Sequence, residues 1–457
     1  MKEYVNVVIG FGKAGKTLAT TLAGAGQKTA LIEKDPRMYG GTCINVACIP
    51  SKSLENSARL SHRLGGDFAA HAQRYVQAMA EKRQLVGRLN KKNYDKVVSA
   101  GVDVLTGQAS FLDARHVEVV YPDGTREQLS AQRIFINTGA RPFIPPVAGM
   151  QDSRHVYVSE TMMELEELPR ELVILGGGYI GLEFASYYLN FGSQVTVLQD
   201  GHDFMPREDQ QVAQAVRQSL IDRGARLVDD AKLTKVADDG ADVELTVETP
   251  SGVSTIRAQA LLVATGRRPN VEGLALDKAG VKLTERGAIA VDDRLRTSVE
   301  GIWAMGDVTG GLQFTYISLD DFRIVKAQLL GDGSRSAAVR GAVPYSVFVD
   351  PPLSRVGLTE QQAVAQGRQV AVAVIPAAAV PKAQLLGQTT GLLKAVVDKA
   401  DGTVLGLHLF CAESHEMINL GKMAIDARLP YTVLADAIYT HPTMTEAFND
   451  LFGAVRI

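Results

Sequence analysis

A strand, a glycine-rich turn and a helix occur twice in this chain in the same frame, and no other feature narrows its possible folds so far. YVNVVIGFG (4–12) is an apolar strand followed by the helix-like GKAGKTLATTLAGAG, with Gly10, Gly12 and Gly15 spaced G-x-G-x-x-G across the turn. The unit returns 166 residues later in ELVILGGGYIGLEFASYYLNFGSQVTVLQD, which carries Gly176, Gly178 and Gly181. One such pattern can be an ordinary turn; two in matching frames mark two dinucleotide sites. Glycine at these positions lets the chain turn tightly and brings a pyrophosphate against the unpaired N–H groups of a helix N-terminus. The expected class is therefore α/β, with two Rossmann-like domains.

In the first unit the next strand, KTALIE, ends on Glu33, eighteen residues past Gly15, where a carboxylate accepts hydrogen bonds from a ribose diol. The matching position in the second unit is Gln199. A neutral amide still bonds a ribose hydroxyl but does not repel a 2′-phosphate. With His202 and Arg207 nearby in sequence, the second site is read as accepting NADPH alongside NADH.

Between the units lies GGTCINVACIPSKS (40–53), which holds Cys43 and Cys48, two of only three cysteines in 457 residues. So few cysteines do not make a disulfide scaffold, and in a reducing cytoplasm a disulfide is more often catalytic than structural. An ideal helix would set positions i and i+5 roughly 8–9 Å apart at Cα, beyond a disulfide's reach. The backbone must be distorted here, which suits Gly40, Gly41 and Pro50. Lys52, four residues past Cys48, brings positive charge to a flavin or thiolate, and a helix N-terminus would lower a thiol pKa further. Glu183, an acid at an otherwise apolar helix start, is expected to pair with Lys52.

Nicotinamide and a disulfide exchange electrons poorly in one step, whereas a flavin between them accepts hydride and passes two electrons to sulfur. FAD therefore belongs at the first site, beside the cysteines, and NADPH or NADH at the second. IFINTGARPFIPP (134–146) and LLVATGRRPN (261–270) read as strand-then-turn joins between units. GIWAMGDVTGG (301–311) is read as a strand ending on Asp307, placed to bond a flavin's ribityl hydroxyls. A proton donor for the sulfurs is sought in YTHPTMTEAFNDLF (439–452), where Glu446 lies five residues past His441 and can orient its imidazole.

Composition sets outer bounds. The length allows about two to four domains. At 46% hydrophobic, 22% charged and a net charge of −3, the chain has the balance of a soluble protein. It lacks the basic tail that nucleic-acid or anionic-membrane binding would favour. No apolar run approaches the roughly 20 residues of a membrane span, and the N-terminus has no room for a signal peptide, so a cytoplasmic location is expected. Cys411, in the apolar VLGLHLFCAE, reads as a small buried hydrophobe, and the flanking His408 and His415 do not form a tight metal-ligand cluster. The basic run KRQLVGRLNKKNYDK, within a helical stretch over 52–100, reads as a solvated helix face.

GGTCINVACIPSK, both glycine fingerprints, ATGRRP, MGDV and HPTMTE, arranged in family order, resemble the pyridine nucleotide–disulfide oxidoreductases end to end. That resemblance implies a homodimer in which the C-terminal domain of one subunit lends its His441–Glu446 pair to the other's disulfide. It matches Lys52 and Glu183 to a flavin-side pair and Asp307 to an FAD ligand. FAD contacts are also assigned to Gly10, Gly12, Lys13, Ala14, Gly15, Glu33, Lys34, Gly41, Thr42, Gln108, Ala109, Thr138, Gly139, Phe314 and Thr315. Gly176, Gly178, Tyr179, Ile180, Gly181, Gln199 and Gly266 are assigned to the nicotinamide nucleotide. The implied domains are FAD-binding over 1–149 and 271–338, NAD(P)-binding over 150–270, and an α+β dimerisation domain over 339–457.

Within the family, MYGGTCIN, GDVTGGLQFTYISLDDFRIV, PYSVFVDPPLSRVGLTE and SHEMIN resemble the reactive-chlorine-resistance branch, understood as hypothiocyanous acid reductases. General disulfide reduction, or reduction of Cu(II) or Hg(II), is the alternative. A mercury substrate fits less well, because neither an N-terminal metal-binding domain nor a C-terminal cysteine pair is present in the sequence. A redox-sensing binding protein would not need the His441–Glu446 apparatus. The expected cycle has Cys48, nearer the flavin, holding the thiolate, and Cys43 attacking the oxidant. Thiocyanate then leaves, and Cys48 resolves the adduct.

Overall fold

The computed structural model describes residues 1–457. Apolar runs make its parallel strands: β1 (Lys2–Ile9) is buried over its last four residues and β2 (Thr29–Glu33) at every position, as strands covered on both faces require. They lie in a seven-stranded sheet with β3 (Asp103–Thr106), β4 (Gln108–Phe111), β5 (His116–Val120), β6 (Arg126–Ile136) and a late strand, Ile302–Ala304. The order is β3-β2-β1-β6-β5-β4, and Ile302–Ala304 runs parallel to β6 in register with Ile134 to Ile136. The chain thus leaves this sheet after β6 and returns to it with a single strand.

The excursion forms a second parallel sheet, ordered Arg226–Val228, Gln194–Leu198, Glu171–Leu175, Ala260–Val263, Val156–Val158. A three-stranded antiparallel meander (Lys232–Asp239, Asp242–Thr249, Gly252–Ala258) shares its core through Val173, Leu198, Leu245 and Val263. At the two crossings between these units, Ala140–Pro142 pairs antiparallel with Arg267–Pro269. The TGARP and TGRRP segments are therefore one paired hinge.

Beyond it stands an antiparallel sheet ordered Tyr345–Val347, Leu353–Gly357, Val404–Phe410, Leu392–Asp398, Val370–Pro376. Met417 and Ile418 of the helix Ser414–Asp426 and Phe448, Leu451 and Phe452 of the helix Ala447–Gly453 close its apolar face.

Four helices frame the cysteine segment: α1 (Lys13–Gly24), α2 (Thr42–Asn45), α3 (Cys48–Leu64) and α4 (Phe68–Ser99). The stretch read as helical over 52–100 is two helices. Gly65 and Gly66, at φ +62° and +110°, end α3, and the Asp67 carboxylate caps α4 by accepting from Ala70 N at 3.0 Å. The basic run lies along α4 and is mostly solvated, but Lys82 is buried, donating to the Met163 carbonyl and pairing with Glu164. No helix is long and apolar enough to cross a membrane.

Candidate active site

The cysteine segment has the interruption that its spacing requires. Helix α2 stops at Asn45, Val46 and Ala47 leave helical geometry (φ −139° and −143°), and α3 begins at Cys48. Two short-range turns in place of one continuous helix bring the two sulfurs into mutual contact, and both are half-buried free thiols. Their protons are not shared evenly. The Cys48 thiol donates towards Cys43, and this, helped by the Thr315 hydroxyl and the positive charges of Lys16 and Lys52, lowers the Cys43 pKa to about 7 against the opposing effect of burial. Cys48 is correspondingly held well above the ordinary thiol range, by its hydrogen bond to Cys43 and by burial. Cys48, expected from the sequence to hold the thiolate, stands at the first position of α3. An uncapped helix N-terminus favours charge there, and the Thr315 hydroxyl and the proton donated by Cys48 favour it at Cys43.

Lys52 and Glu183 meet as expected, Nζ to Oε2 at 2.6 Å, joining α3 to the helix Tyr179–Asn190 of the second sheet. A third member comes from the C-terminal sheet. The Phe348 backbone N–H donates to Glu183 Oε1 at 2.9 Å, and the Lys52 ammonium lies 4.7 Å from the Phe348 ring centroid. One ion pair thus ties three units together beside the thiols.

Both thiols open on a cleft of about 1880 Å³ lined by residues of all three units. Drug-sized sites occupy about 300–1,000 Å³, so this space suits an extended dinucleotide rather than one small molecule. Of the residues assigned to FAD, Gly10, Gly12, Lys13, Glu33, Lys34, Gly41, Thr42, Gln108, Ala109, Thr138, Gly139, Asp307, Phe314 and Thr315 all line it. Ala14 and Gly15 lie behind its wall, where their amides donate to Ser318 Oγ (3.2 Å) and Asn137 Oδ1 (2.8 Å). The wall is built for close backbone approach. A Cβ on Gly12 would stand 2.3 Å from Asn137 Oδ1, and one on Gly41 2.7 Å from the Gly12 Cα. Gly12 caps α1 without a side-chain acceptor, so the positive end of that helix faces the cleft. These donors fit a pyrophosphate, and Glu33 and Asp307 fit the flanking hydroxyls. Burial holds both carboxyls above their usual range, opposed at Glu33 by the Phe11 N–H and at Asp307 by the Arg267 guanidinium. Asp307 does not end a strand as read from the sequence. The strand stops at Ala304, and Asp307 sits in the turn Gly306–Thr309, held by the Asp321 carboxylate accepting from Gly306 N at 2.7 Å.

Of the nicotinamide set, Tyr179 and Ile180 line the cleft, whereas Gly176, Gly178, Gly181, Gln199 and Gly266 lie outside its lining. A Cβ on Gly176 or Gly181 would strike a carbonyl at 2.5 or 2.0 Å, so these two glycines serve chain packing, while Gly178 faces open space at an uncapped helix start. Gln199 is buried and donates from Nε2 to the Gly201 carbonyl at 3.0 Å, with its Oε1 lying over Gly177.

His441 and Glu446 pair at 2.7 Å through Nδ1, but neither lines the cleft. The imidazole is 71% exposed, and Ile438, three residues before it, is fully exposed. Within one chain the structure does not bring this pair to the thiols. Cys411 is fully buried, and burial pushes its thiol up to about 12, so it has no role as a nucleophile at neutral pH.

Several residues of the site escaped the sequence reading. Asn137 was signalled only by its place before Thr138-Gly139; Ser318 and Phe348 gave no local signal, since Ser318 acts on a residue 304 positions away and Phe348 acts from another unit. Tyr345 stacks between Tyr179 (5.7 Å) and Phe314 (5.8 Å), and its hydroxyl donates to the buried Glu208 at 2.6 Å. Glu208 also accepts from Tyr179, and so fixes two of the three stacked rings.

Comparison with known proteins adds to this geometry. A family model for pyridine nucleotide-disulphide oxidoreductases matches residues 4–321, and one for the dimerisation domain of such proteins matches residues 343–452. The chain is 48% identical, over the full length of both, to the probable pyridine nucleotide-disulfide oxidoreductase RclA of Escherichia coli (strain K12). It is 33% identical to a mercuric reductase of Lysinibacillus sphaericus, across 98% of this chain and 82% of that protein. It superposes with a TM-score of 0.94, at 47% identity and full coverage of both chains, on the copper(II) complex of the HOCl-induced flavoprotein disulfide reductase RclA from Escherichia coli.

Proposed function

The chain belongs to the pyridine nucleotide-disulfide oxidoreductases, a family of FAD-containing, NAD(P)H-dependent enzymes, and on that premise we propose that it reduces a small thiol-reactive oxidant, hypothiocyanous acid, at Cys43 and Cys48. The observation that carries this reading is the lowered Cys43 thiol, half-buried on the same cleft as the first glycine turn and Tyr179. In this reading the FAD domain comprises residues 1–149 and 271–338, the NAD(P) domain 150–270 and the dimerisation domain 339–457.

When bound, the flavin and the nicotinamide supply the two electrons that return the Cys43–Cys48 disulfide to the dithiol. Gly10, Gly12, Thr42 and Asp307 would hold FAD, and Gly178, Tyr179 and Ile180 the nicotinamide nucleotide. The Cys43 thiolate attacks the sulfur of hypothiocyanous acid, and hydroxide leaves as water on taking a proton from His441 of the partner subunit. Cys48 then attacks the Cys43 sulfur and expels thiocyanate. In sum two thiols and hypothiocyanous acid give a disulfide, thiocyanate, water and a proton. The HOCl-induced description of the Escherichia coli relative supports a role in reactive-chlorine defence. Its copper(II) complex supports a second reading, reduction of Cu(II) at the same cleft.

Steady-state NADH and NADPH consumption with hypothiocyanous acid, oxidised glutathione, lipoamide and Cu(II) tests both readings. The expected ranking has hypothiocyanous acid first, and turnover with glutathione or lipoamide far above it would overturn the assignment. Cys43→Ser is expected to abolish oxidant turnover; a variant working at full rate would defeat the mechanism for any substrate.

A further inference from the structure

A buried lysine grips the turn that leads into the cysteine segment, a contact that the catalytic scheme leaves unused. Lys16, in the first turn of α1, is 8% exposed. Its ammonium donates to the Gly40 carbonyl at 2.9 Å and to Asn93 Oδ1 at 2.5 Å, both neutral acceptors, and it makes no ion pair with a carboxylate. A desolvated ammonium without an opposite charge is unfavourable and is rarely retained without a compensating partner. The other fixed charges that act on it, Lys13 and Lys96, have the same sign. Among the chain's own charges that act on it, ionised Cys43 is the one of opposite sign. Gly40 stands three residues before Cys43, and it and Gly41 occupy positive φ (+104° and +82°), so the turn that Lys16 grips is the one that delivers Cys43 to α2.

We propose that Lys16 is a positioning residue for the chemistry at Cys43: its ammonium anchors the Gly40–Gly41 turn and supplies the buried positive charge that stabilises the Cys43 thiolate. The inference rests on the reading of Cys43 as the nucleophile. Burial lowers the Lys16 pKa to about 8, so cation and thiolate coexist at neutral pH.

The test follows Cys43 alkylation against pH in the reduced holoenzyme, read by mass spectrometry of its peptide, in the wild type, Lys16→Met and Lys16→Arg. Lys16→Met is expected to cut the ionised fraction of Cys43 at neutral pH about two- to fivefold, a shift of about 0.5–1 pH unit, while Lys16→Arg keeps the wild-type profile. An unmoved profile in Lys16→Met, or an equal shift in Lys16→Arg, overturns the proposal. Loss of FAD with no change at Cys43 also overturns it, by assigning the charge to the cofactor instead. Should Lys16→Met fail to fold, reciprocity allows the converse measurement. The pH profile of Lys16 acetylation should move to lower pH in Cys43→Ser, and an unchanged profile sinks the idea. Because Cys43 ionisation is read without any oxidant, an error in the substrate assignment leaves this result standing.

Discussion

Cys43 and Cys48 carry the same side chain five residues apart, yet their surroundings drive their protons in opposite directions. Thr315 and the charge of Lys16 act on Cys43, the charge of Lys52 acts on both thiols, and Glu183 is a neighbouring negative charge to Cys48. The consequence is a pH profile with a defined sign. A thiolate is the attacking form, so alkylation of Cys43 in the reduced enzyme should rise about tenfold per pH unit until about pH 7 and then level off. A profile centred near the free-thiol value of about 8.5 would contradict the proton arrangement. The two cysteines and their redox role were legible in GGTCINVACIPSKS. Which sulfur ionises was not, because Thr315 and Lys16 reach Cys43 from 272 residues downstream and 27 upstream.

At the scale of elements, the decisive contacts are those between turns. The first glycine turn and the Gly40–Gly41 turn meet backbone to backbone: Gly41 lies at φ +82°, and a Cβ on it would stand 2.7 Å from the Gly12 Cα. Gly41→Ala therefore combines a left-handed backbone with a clash against an atom that has no rotamer to change. It is expected to cost about 1–3 kcal/mol, seen as a lower thermal midpoint and loss of bound FAD on gel filtration. Retention of both would mean that the turn yields more than its packing indicates. Both glycine fingerprints and the interruption between α2 and α3 were readable, since turn chemistry and helix period are local. The extent of the strand before Asp307 was not, because its end is set by Asp321 of another helix drawing on Gly306.

For the whole molecule, the His441–Glu446 pair is intact but turned to solvent, away from the thiols of its own chain. A homodimer with sites shared between subunits makes a quantitative prediction. Mixed dimers of Cys43→Ser and His441→Ala hold one site with both defects and one with neither, so they should regain about half of wild-type activity, while each parent alone stays nearly inactive. Refolded or co-expressed mixtures assayed for NAD(P)H oxidation check this, and no recovery in verified heterodimers would place His441 outside the partner's chemistry.

The sequence by itself determined the α/β class, the two dinucleotide turns, the dithiol and the family, because each is written in residues within one turn or one strand–turn–helix unit. The tertiary structure decided how these parts act on one another. It joined Phe348 to the Lys52–Glu183 pair, tied Tyr179 and Phe314 together through Tyr345, and brought Thr315 and Lys16 to act on Cys43. Charge and hydrogen bonding act through space over a few ångströms, and residues brought that close by folding carry no mark of it in their spacing along the chain.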